Sequence, residues 1–332
     1  MKPIALVLLN YNGIKLLKKF LNDVISNSLE ADIVLIDNNS IDNSVKWFKK
    51  QHPKLQCIEL KENYGFAKGY NEGLKQVKHE YYGLLNTDVW VPKNWLKPLL
   101  KSFDTYSNAA IIQPHILNQK KPNYFEYAGA AGGYIDKYGI TFCRGRIINK
   151  LEEDLGQYDK NEEIFWASGA CFLIRSQIFW KLEGFDGDFF AHQEEIDLCW
   201  RAHNLGYKTL AIGSSKVYHI GAATLPLSAK KVYLNHRNSL KMIVKNVPNK
   251  SRTTILIYRL ILDGAIGLFF FFKLKFSYTW AIIQAHFSFY KELKYLKLKS
   301  NSLIKKDDYF FIKNILLEYY LKRKRYFTDL HK

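Results

Sequence analysis

The sequence predicts an α/β fold in which a mostly parallel sheet is flanked by helices, and two observations carry this prediction. Over residues 4–89, short apolar runs with strand character alternate with segments whose apolar residues recur at helical spacing. Three of the four predicted strands end in loops rich in Asn and Asp. Strands and helices that alternate in this way form Rossmann-like sheets, in which ligands lie outside the carboxyl ends of the strands.

The first four strands are predicted at residues 4–9, 32–36, 56–60 and 81–85. The first run is shorter than the apolar core of a signal peptide, so we interpret it as a strand. Helices are predicted between the strands. They are marked by apolar residues over 16–24, by Asp42 as a candidate N-cap for 43–51, and by the Gly-containing segment 63–73.

The loops after these strands lack the two common phosphate-binding patterns. No GxGxxG follows the first strand, which argues against a dinucleotide-binding fold, and there is no GxxxxGK followed by Ser or Thr. A nucleotide site must therefore be built from other residues.

Further elements are predicted downstream. We expect a helix over 94–103, a strand over 109–113, a hairpin or mobile loop over the Gly- and Tyr-rich segment 124–138, and an exposed acidic segment over 152–163. Residues 164–175 resemble a strand interrupted by Gly169. A glycine inside a strand indicates either the close approach of a ligand or backbone, or a plain bulge.

A turn at 184–190 then leads to a helix over 191–202, followed by strands over 207–212 and 216–221. Helical spacing places Glu194, Asp197 and Arg201 on one face, and the last two can pair at i, i+4. Acidic residues at a helix start are also favoured by the helix dipole, so a solvated, capped N-terminus is the alternative interpretation.

Asp88 follows the fourth predicted strand directly. A carboxylate at the carboxyl end of a strand can bind a hard cation, which in turn can hold a diphosphate. The alternative is that Asp88 only caps the next helix. His219, near the end of the last predicted strand, is a candidate ligand or an ordinary structural histidine.

Taken together, these segments resemble the family 2 glycosyltransferases of GT-A fold, in particular their rhamnosyltransferase-like branch. The resemblance covers about residues 3–240, and its motifs occur in the family's order. They are Leu9-Asn10-Tyr11-Asn12, Asp37-Asn38-Asn39-Ser40, the glycine- and asparagine-containing segment from Asn63 to Asn71, Leu85-Asn86-Thr87-Asp88-Val89, Gly169-Ala170, the segment from Glu194 to Arg201, and His219.

The resemblance implies a role for each matching residue. Asp37 would contact the base or ribose of a nucleotide-sugar donor, and Asp88 with His219 would bind a divalent cation, Mn²⁺ or Mg²⁺. Glu195 would be the general base, with Glu194 as the neighbouring alternative, and Asp197 and Arg201 would hold the helix. The other donor-binding candidates are Asn10, Asn12, Asn39, Gly65, Gly69, Asn71 and Asn86. Trp166, Gly169 and Ala170 would shape the acceptor side.

Two positions depart from the family pattern. Trp90 stands two residues after Asp88, where a second acidic residue is expected, so the metal has one carboxylate here. Glu195 stands where Asp is commoner.

The implied activity is an inverting transfer of a hexose or deoxyhexose from a nucleotide-sugar to a saccharide or lipid-linked saccharide, in cell-surface polysaccharide synthesis. One base and one metal site imply a single displacement. A non-catalytic relative that binds carbohydrate or nucleotide-sugar is an alternative, and a nucleic-acid-binding protein is another.

Charge divides the chain into a predicted catalytic domain, residues 1–225, and a C-terminal region, residues 226–332. The first has 27 Lys and Arg against 25 Asp and Glu, and the second has 22 against 6, so most of the net charge of +18 lies in the second. A basic segment prefers a polyanion such as nucleic acid or an anionic membrane. Four dispersed cysteines fit a reducing cytosol.

The C-terminal region predicts membrane-associated helices. A helix is expected over 228–246, followed by apolar runs at 255–272 and 276–290. The first run contains Arg259 and Asp263, each of which costs about 2.5–3.5 kcal/mol at the centre of a span. We therefore expect helices that lie in the interface, with a true span or a soluble partner surface as alternatives. The predicted location is peripheral, on the cytoplasmic face of the inner or plasma membrane, with no nucleic-acid partner.

Overall fold

The computed structural model describes residues 2–221, 228–301 and 304–331 of the chain. The first half of the sheet alternates strands and helices as predicted. Its elements are β1 (Ile4–Asn10), α1 (Ile14–Asn27), β2 (Ala31–Asp37), α2 (Ser44–Gln51), β3 (Gln56–Glu59), α3 (Gly65–Leu74) and β4 (Tyr81–Leu85).

The second half adds antiparallel strands and a small separate sheet. It contains β5 (Val89–Trp90), α4 (Leu96–Thr105), β6 (Ala109–Asn118), β7 (Lys121–Phe125), β8 (Gly133–Ile135), β9 (Thr141–Cys143), β10 (Arg146–Ile147), β11 (Lys150–Leu151), β12 (Glu162–Ile164), β13 (Cys171–Arg175), α5 (Ser176–Lys181), α6 (Glu194–Asn204) and β14 (Lys208–His219). Three long helices follow: α7 (Ala229–Asn246), α8 (Asn249–Phe272) and α9 (Phe276–Asn301).

The central sheet has the order β12-β14-β6-β13-β4-β1-β2-β3. Strands β3, β2, β1 and β4 are mutually parallel, β13 is antiparallel to both β4 and β6, and β14 is parallel to β6. Alternate residues of β1 enter different apolar layers: Ala5 and Val7 lie in one core, and Leu6 and Leu8 in the other. Burial on both faces explains why the strands are continuously apolar. The predicted α/β fold is confirmed.

Several local predictions were wrong. The two strands expected at 207–221 are one strand, β14, whose register shifts between Ile212 and Lys216. The strand expected at 164–175 is split into β12 and β13. Helix α2 begins at Ser44 with Asn43 in the cap position, although the Asp42 carboxylate accepts a hydrogen bond from the Ser44 N–H (3.0 Å).

The acidic segment 152–163 is mostly exposed, but Glu152 is buried. Its carboxylate accepts hydrogen bonds from the Tyr158 hydroxyl (2.9 Å) and from the Phe327 N–H (3.0 Å). The bond to Phe327 ties the C-terminal segment to the first domain, a long-range contact that the local pattern could not indicate.

The C-terminal segment belongs to the main hydrophobic core. Tyr309, Ile315, Tyr319 and Phe327 are buried there together with the small sheet β8–β11. The predicted boundary at 225/226 lies outside the described residues and stays a prediction. Helix α9 extends to residue 301, eleven residues beyond the apolar run that marked it, because its second half is basic rather than apolar.

Candidate active site

Asn10 and Asp37 lie opposite each other at the carboxyl ends of β1 and β2. The Asn10 Nδ2 donates a hydrogen bond to Asp37 Oδ1 (2.8 Å), and Asp37 Oδ2 accepts one from the Ser40 N–H (2.8 Å). Both residues are buried. These bonds fix the orientation of the Asp37 carboxylate at the edge where ligands bind in such sheets.

Asn12 and Asn39 shape the loops at this edge. Both adopt left-handed backbone angles, with φ of 53° and 62°. The Asn12 Oδ1 accepts hydrogen bonds from the N–H groups of Ile41 (2.8 Å) and Asp42 (3.3 Å). The loops after β1 and β2 are therefore bonded to each other, whereas Asn39 is exposed.

The structure gives Gly65 and Gly69 packing roles. Gly65 has φ +76°, and a Cβ there would lie 2.7 Å from the Phe190 carbonyl oxygen. A Cβ on Gly69 would lie 3.1 Å from Asn38 Nδ2. Asn71 bonds the backbone of Phe185 through both ends of its amide, at 2.7 and 2.9 Å. The three residues therefore hold α3 against its neighbours, and their contact with a donor stays a prediction.

Asp88 forms a buried cluster with His219 and Glu126. Asp88 Oδ1 is 3.1 Å from His219 Nε2, and Glu126 Oε1 is 3.6 Å from His219 Nδ1. Burial alone would lower the pKa of His219, but the two carboxylates outweigh it and raise the pKa to about 10. Asp88 does not cap a helix, since β5 follows it.

This cluster fits a divalent cation in part. No group of three candidate ligands is found within residues 2–221, 228–301 and 304–331. However, Asp88 Oδ1 and His219 Nε2 are 3.1 Å apart. This is close to the distance between two adjacent ligand atoms in an octahedral site with bonds of about 2.1 Å. Mg²⁺-type sites are commonly completed by water and substrate phosphates. Glu126 lies 3.6 Å from the other ring nitrogen, Nδ1, on the side where a carboxylate commonly orients a metal-binding histidine.

Trp90 points away from this cluster. Its Nε1 donates a hydrogen bond to Asp23 Oδ2 of α1 (2.9 Å), and its ring packs on Tyr218. Trp90, which departs from the family pattern, therefore connects β5 with β14 and α1.

Glu194 and Glu195 begin α6 after a strained segment. Phe190, His192 and Gln193 have left-handed φ angles of 64°, 70° and 73°. Such conformations cost of order 1–3 kcal/mol each and persist only where surrounding contacts impose them. Those contacts include the Phe190 carbonyl oxygen, which accepts a hydrogen bond from the Phe66 N–H (2.7 Å).

The two glutamates are not a solvated N-terminus. Glu194 is buried, and the Oε2 atoms of both side chains are buried without a hydrogen-bond partner among the described residues. Burial raises the pKa of Glu195 to about 7. Burial, and then the charge of Glu195, raise the pKa of Glu194 well above its usual value.

Gly169 and Ala170 connect the two groups of carboxylates. The Ala170 carbonyl oxygen accepts a hydrogen bond from the Asn86 N–H (2.9 Å), two residues before Asp88. A Cβ on Gly169 would be 3.7 Å from Glu195 Cγ. The turn between β12 and β13 thus lies between the end of β4 and the start of α6. Trp166 is buried on the other side, with its Nε1 bonded to the Tyr134 carbonyl oxygen (2.9 Å), so it supports this turn from within the core.

Asp197 and Arg201 hold α6 as the spacing predicts. Arg201 Nε is 2.8 Å from Asp197 Oδ2, and Arg201 Nη2 donates to the Gly184 carbonyl oxygen (2.9 Å). Asp197 also pairs with Lys245 of α7 (2.8 Å). Burial would raise the pKa of Asp197, but Lys245 and Arg201 lower it, so the carboxylate stays ionised.

Comparison with known proteins identifies the family of the chain. The model of the family described as glycosyl transferase family 2 matches residues 6–183, which is more than half of the chain. The chain belongs to glycosyl transferase family 2. The match ends before α6, so the two glutamates and His219 lie beyond it.

Characterised relatives of this family 2 chain act on several sugars. It is 24% identical over 218 residues to a low-salt glycan biosynthesis hexosyltransferase of Haloferax volcanii, covering 64% of the chain and 65% of the relative. It is 22% identical to an N-acetylglucosaminyl-diphospho-decaprenol L-rhamnosyltransferase of Mycobacterium tuberculosis (57% and 66%). It is 26% identical to a poly-β-1,6-N-acetyl-D-glucosamine synthase of Staphylococcus aureus (63% and 47%). The matches therefore span less than two thirds of each relative.

Solved structures confirm the GT-A fold of this family 2 chain. A structure of GalNAc-T7 with UDP, GalNAc and Mn²⁺ matches with a TM-score of 0.60 at 16% identity, covering 75% of this chain and 49% of that one. A mannosyltransferase of Pyrobaculum calidifontis in complex with GDP-Man and Mn²⁺ matches with a TM-score of 0.54 at 11% identity, covering 87% of each chain. At these identities the likeness establishes the fold.

The structure adds residues that the family 2 motifs did not indicate. Glu126 lies in the loop after β7. Asn38 stands within the Asp37–Ser40 motif but had no role assigned to it, and it bonds the Gly65 carbonyl oxygen (2.9 Å) and the Tyr64 N–H (3.0 Å). Asn238 of α7 donates to the carbonyl oxygens of Phe189, Ala191 and His192, at 2.7–2.9 Å. The sequence signal that could have indicated Asn238 was an asparagine in the middle of the predicted helix over 228–246.

Proposed function

We propose that the chain is an inverting glycosyltransferase that moves a hexose or deoxyhexose from a nucleotide-sugar donor to a saccharide or lipid-linked saccharide in cell-surface polysaccharide synthesis. One observation carries the proposal. The candidate cation-binding pair consists of Asp88, after β4, and His219, at the end of β14. Glu195 has a raised pKa and a buried oxygen without a partner among the described residues, and it lies beside Gly169, which precedes β13. The Asn86–Ala170 hydrogen bond connects their supporting segments.

The chemistry assigns a separate task to each group. Glu195 takes the proton of the acceptor hydroxyl as the oxygen attacks the anomeric carbon, and a pKa of about 7 suits a base at neutral pH. Glu194 stays protonated beside it, so the two carboxyl groups do not compete for one role. Asp88 and His219 would hold Mn²⁺ or Mg²⁺, which supplies positive charge for the leaving diphosphate. A single attack on the anomeric carbon inverts its configuration.

Asp88→Asn tests the donor site. We expect UDP or GDP with Mn²⁺ to raise the melting temperature of the full chain, because a ligand that binds the folded state alone stabilises it, by about 2.7 kcal/mol at 100 times the Kd. Asp88→Asn should abolish this shift, whereas the matched change at the exposed Asp104 should not. An unchanged shift in Asp88→Asn would exclude the proposed metal and diphosphate site.

We also propose that α8 and α9 attach the chain to an anionic membrane surface as a peripheral hairpin on the cytoplasmic face. Helix α8 has the reverse of the usual pattern of a soluble helix. Its buried stripe contains Arg259 and Asp263. After the exposed Thr253 and Thr254, its exposed residues are apolar: Ile257, Leu260, Ile261, Gly264, Ala265, Leu268, Phe269, Phe271 and Phe272. An apolar outer face favours lipid over nucleic acid.

The two buried charged residues have partners inside the protein, and Arg259 Nη1 donates a hydrogen bond to the Gly139 carbonyl oxygen (3.2 Å). Asp263 pairs with His236 of α7 and His286 of α9, at 3.0 Å each, and lies 3.9 Å from Arg259. The cost of Arg259 and Asp263 was counted against a transmembrane span, and it applies less here because both side chains lie on the buried stripe of α8. Among the helices that the structure describes, α8 is the one whose length and composition would allow it to cross a membrane. We favour a hairpin because Lys273 and Lys275 lie at its exposed tip.

Flotation with vesicles tests this attachment. The full chain should float with vesicles that contain phosphatidylglycerol, and the double change Leu260→Glu and Leu268→Glu should reduce the floating fraction at least tenfold, since charges are costly in the apolar layer. Thr254→Glu, near the basic end of the same exposed helix, is the control for charge and should float nearly as well. Equal flotation of all three proteins, or none by the full chain, would contradict the hairpin.

A further inference from the structure

We infer that Asn238 of α7 is a positioning residue for the transfer reaction, because it holds the backbone before α6 in the conformation that orients the Glu195 carboxylate. This inference rests on the proposed function, since it concerns the base assigned there. Asn238 lies in the middle of α7 and is fully buried. Its side-chain nitrogen donates hydrogen bonds to the carbonyl oxygens of Phe189 (2.9 Å), Ala191 (2.9 Å) and His192 (2.7 Å).

The other end of the same amide is also bonded. Arg237 Nε donates a hydrogen bond to Asn238 Oδ1 (3.0 Å), so the oxygen faces a donor and the nitrogen faces three acceptors. An amide nitrogen carries two hydrogens, and one of them is therefore shared between two carbonyl groups. Because an unpaired buried polar group is costly, the amide and the three carbonyl groups hold each other in place.

The backbone that Asn238 holds is in an unfavourable conformation. Phe190, His192 and Gln193 have left-handed φ angles of 64°, 70° and 73°. Residues other than glycine keep such angles only where the surroundings impose them. Helix α3 supplies one such contact, the hydrogen bond from the Phe66 N–H to the Phe190 carbonyl oxygen (2.7 Å). Asn238 supplies the contacts to the carbonyl groups on both sides of it.

The peptide group between His192 and Gln193 connects Asn238 to the base. The C=O and N–H of a planar trans peptide point in opposite directions, so the bond to the His192 oxygen turns the Gln193 N–H away from Asn238. Burial raises the pKa of Glu195 to about 7, while the N–H groups of Glu195, Ile196 and Gln193 act against burial and favour the carboxylate. Of these three donors, the Gln193 N–H belongs to the peptide group that Asn238 fixes.

Other ionisable groups around Glu195 do not obscure this connection. Burial, and then the charge of Glu195, raise the pKa of Glu194 well above its usual value. Burial raises the pKa of Cys199 to about 12 and lowers that of His192 to about 4, so both stay neutral from pH 5.5 to 9. The two glutamates are therefore the groups of this set that titrate in that range.

Asn238→Ala tests the inference. Without its donors the peptide group between residues 192 and 193 can rotate, and the Glu195 carboxylate loses the Gln193 N–H. The pKa of Glu195 should rise by about one pH unit, the effect of one lost hydrogen bond to a charged group. The maximum single-turnover rate should fall about 10²-fold, as expected for a catalytic group misplaced by about 1 Å.

Asn235→Ala is the matched control. Asn235 lies on the same helix, is half-buried, and forms no side-chain hydrogen bond with another described residue. Its replacement should change neither the pKa of Glu195 nor the rate. Asn238→Ser keeps one donor in a smaller side chain, should give an intermediate pKa and rate, and carries the test if Asn238→Ala does not fold.

Titration by ¹³C NMR reports the ionisation of Glu195 independently of sugar transfer. The full chain is labelled with glutamate that carries ¹³C at Cδ, and the resonance absent from Glu195→Gln is followed from pH 5.5 to 9. Binding of UDP or GDP with Mn²⁺ should be unchanged in Asn238→Ala and Asn238→Ser, because the donor site lies on other residues.

An unchanged or lowered pKa of Glu195 in the Asn238 variants would overturn the inference, even if their rates fell, because a purely structural role predicts that result. Rates equal to that of Asn235→Ala would also overturn it. If the unaltered chain transfers sugar and either result is found, the Asn238 assignment falls and the proposed function stands. If the pKa rises as expected but the unaltered chain transfers no sugar from any donor, the proposed function falls, and the positioning role falls with it.

Discussion

Glu194 and Glu195 are adjacent in the chain, yet they have different environments. Glu194 is buried beside the charge of its neighbour, which favours its neutral form. Glu195 faces Gly169, where an added Cβ would contact Glu195 Cγ at 3.7 Å. Paired carboxyl groups whose pKa values are pushed apart commonly divide acid and base roles. We therefore assign the base to Glu195.

The rate of sugar transfer should depend on this ionisation. The base acts when deprotonated, so the rate should rise with pH and level off above the raised pKa of about 7. Glu195→Gln cannot accept a proton and should slow transfer by about 10²–10⁴-fold, with donor binding preserved. Glu194→Gln retains a neutral side chain and should be much less affected.

Single-turnover rates at saturating donor, measured from pH 5.5 to 9, distinguish these outcomes. If Glu194→Gln were the slow variant and Glu195→Gln kept the rising pH limb, the assigned roles would have to be exchanged.

Single residues were predictable where a strand end or a helix start marked them. Asp88 was singled out because it follows a strand, whereas the roles of Glu194 and Glu195 came from the family resemblance. The structure places Asp88 beside His219, and the roles of all three stay predictions. Glu126 was not predicted, because it lies in an irregular loop and reaches His219 from a distant part of the chain. Trp166 was predicted to shape the acceptor side, but its ring packs in the core against Gly133.

At the scale of elements, α6 and α7 are held together by buried ion pairs. Lys245 of α7 is buried and contacts two carboxylates, Asp186 (2.5 Å) and Asp197 (2.8 Å). Asn246 adds a hydrogen bond to Asp197 (2.8 Å). The helix that carries the glutamates is therefore fixed by the first helix of the C-terminal region.

Lys245→Met tests this connection. It removes a positive charge from beside two buried carboxylates. The loss of one partner of a buried ion pair typically costs about 3–5 kcal/mol of unfolding free energy. Lys250→Met, at an exposed pair with Asp307, should cost at most about 1 kcal/mol. Urea unfolding at pH 7 measures both.

The loss of unfolding free energy caused by Lys245→Met should become smaller in acid. Burial opposes ionisation of Asp186 and Asp197, but the neighbouring cations hold their folded-state pKa below the unfolded value of 3.8. Their ionised forms therefore stabilise the fold above about pH 4, and this contribution is lost as the pH falls below it. A variant as stable as the parent at pH 7 would show that the pairs do not hold α6.

Element types were predictable from periodicity, whereas their limits and partners were not. The alternation of strands and helices over residues 4–89 indicated the parallel half of the sheet correctly. The pattern divided β14 because Gly213, Ser214 and Ser215 interrupt its apolar run at the register shift. It also gave no indication that lysines in α7 are buried, since their partners are supplied by another element.

At the scale of the whole molecule, the C-terminal region is part of the catalytic body as well as its candidate membrane attachment. Asn238 and Lys245 hold the segment before α6 and the helix itself. Residues after 304 complete the core, through Tyr309 and Phe327. These contacts show that residues after 228 pack closely on the part of the chain before 222, and the division at 225/226 stays a prediction.

The most direct test of the account is release of nucleoside diphosphate from a panel of nucleotide-sugars by the full chain, with Mn²⁺ and a farnesyl-diphosphate-linked saccharide acceptor in phosphatidylglycerol vesicles. We predict acceptor-dependent release from at least one donor, reduced about 10²–10⁴-fold by Glu195→Gln. Donor binding without release by the unaltered chain, or equal release by Glu195→Gln, would contradict the account.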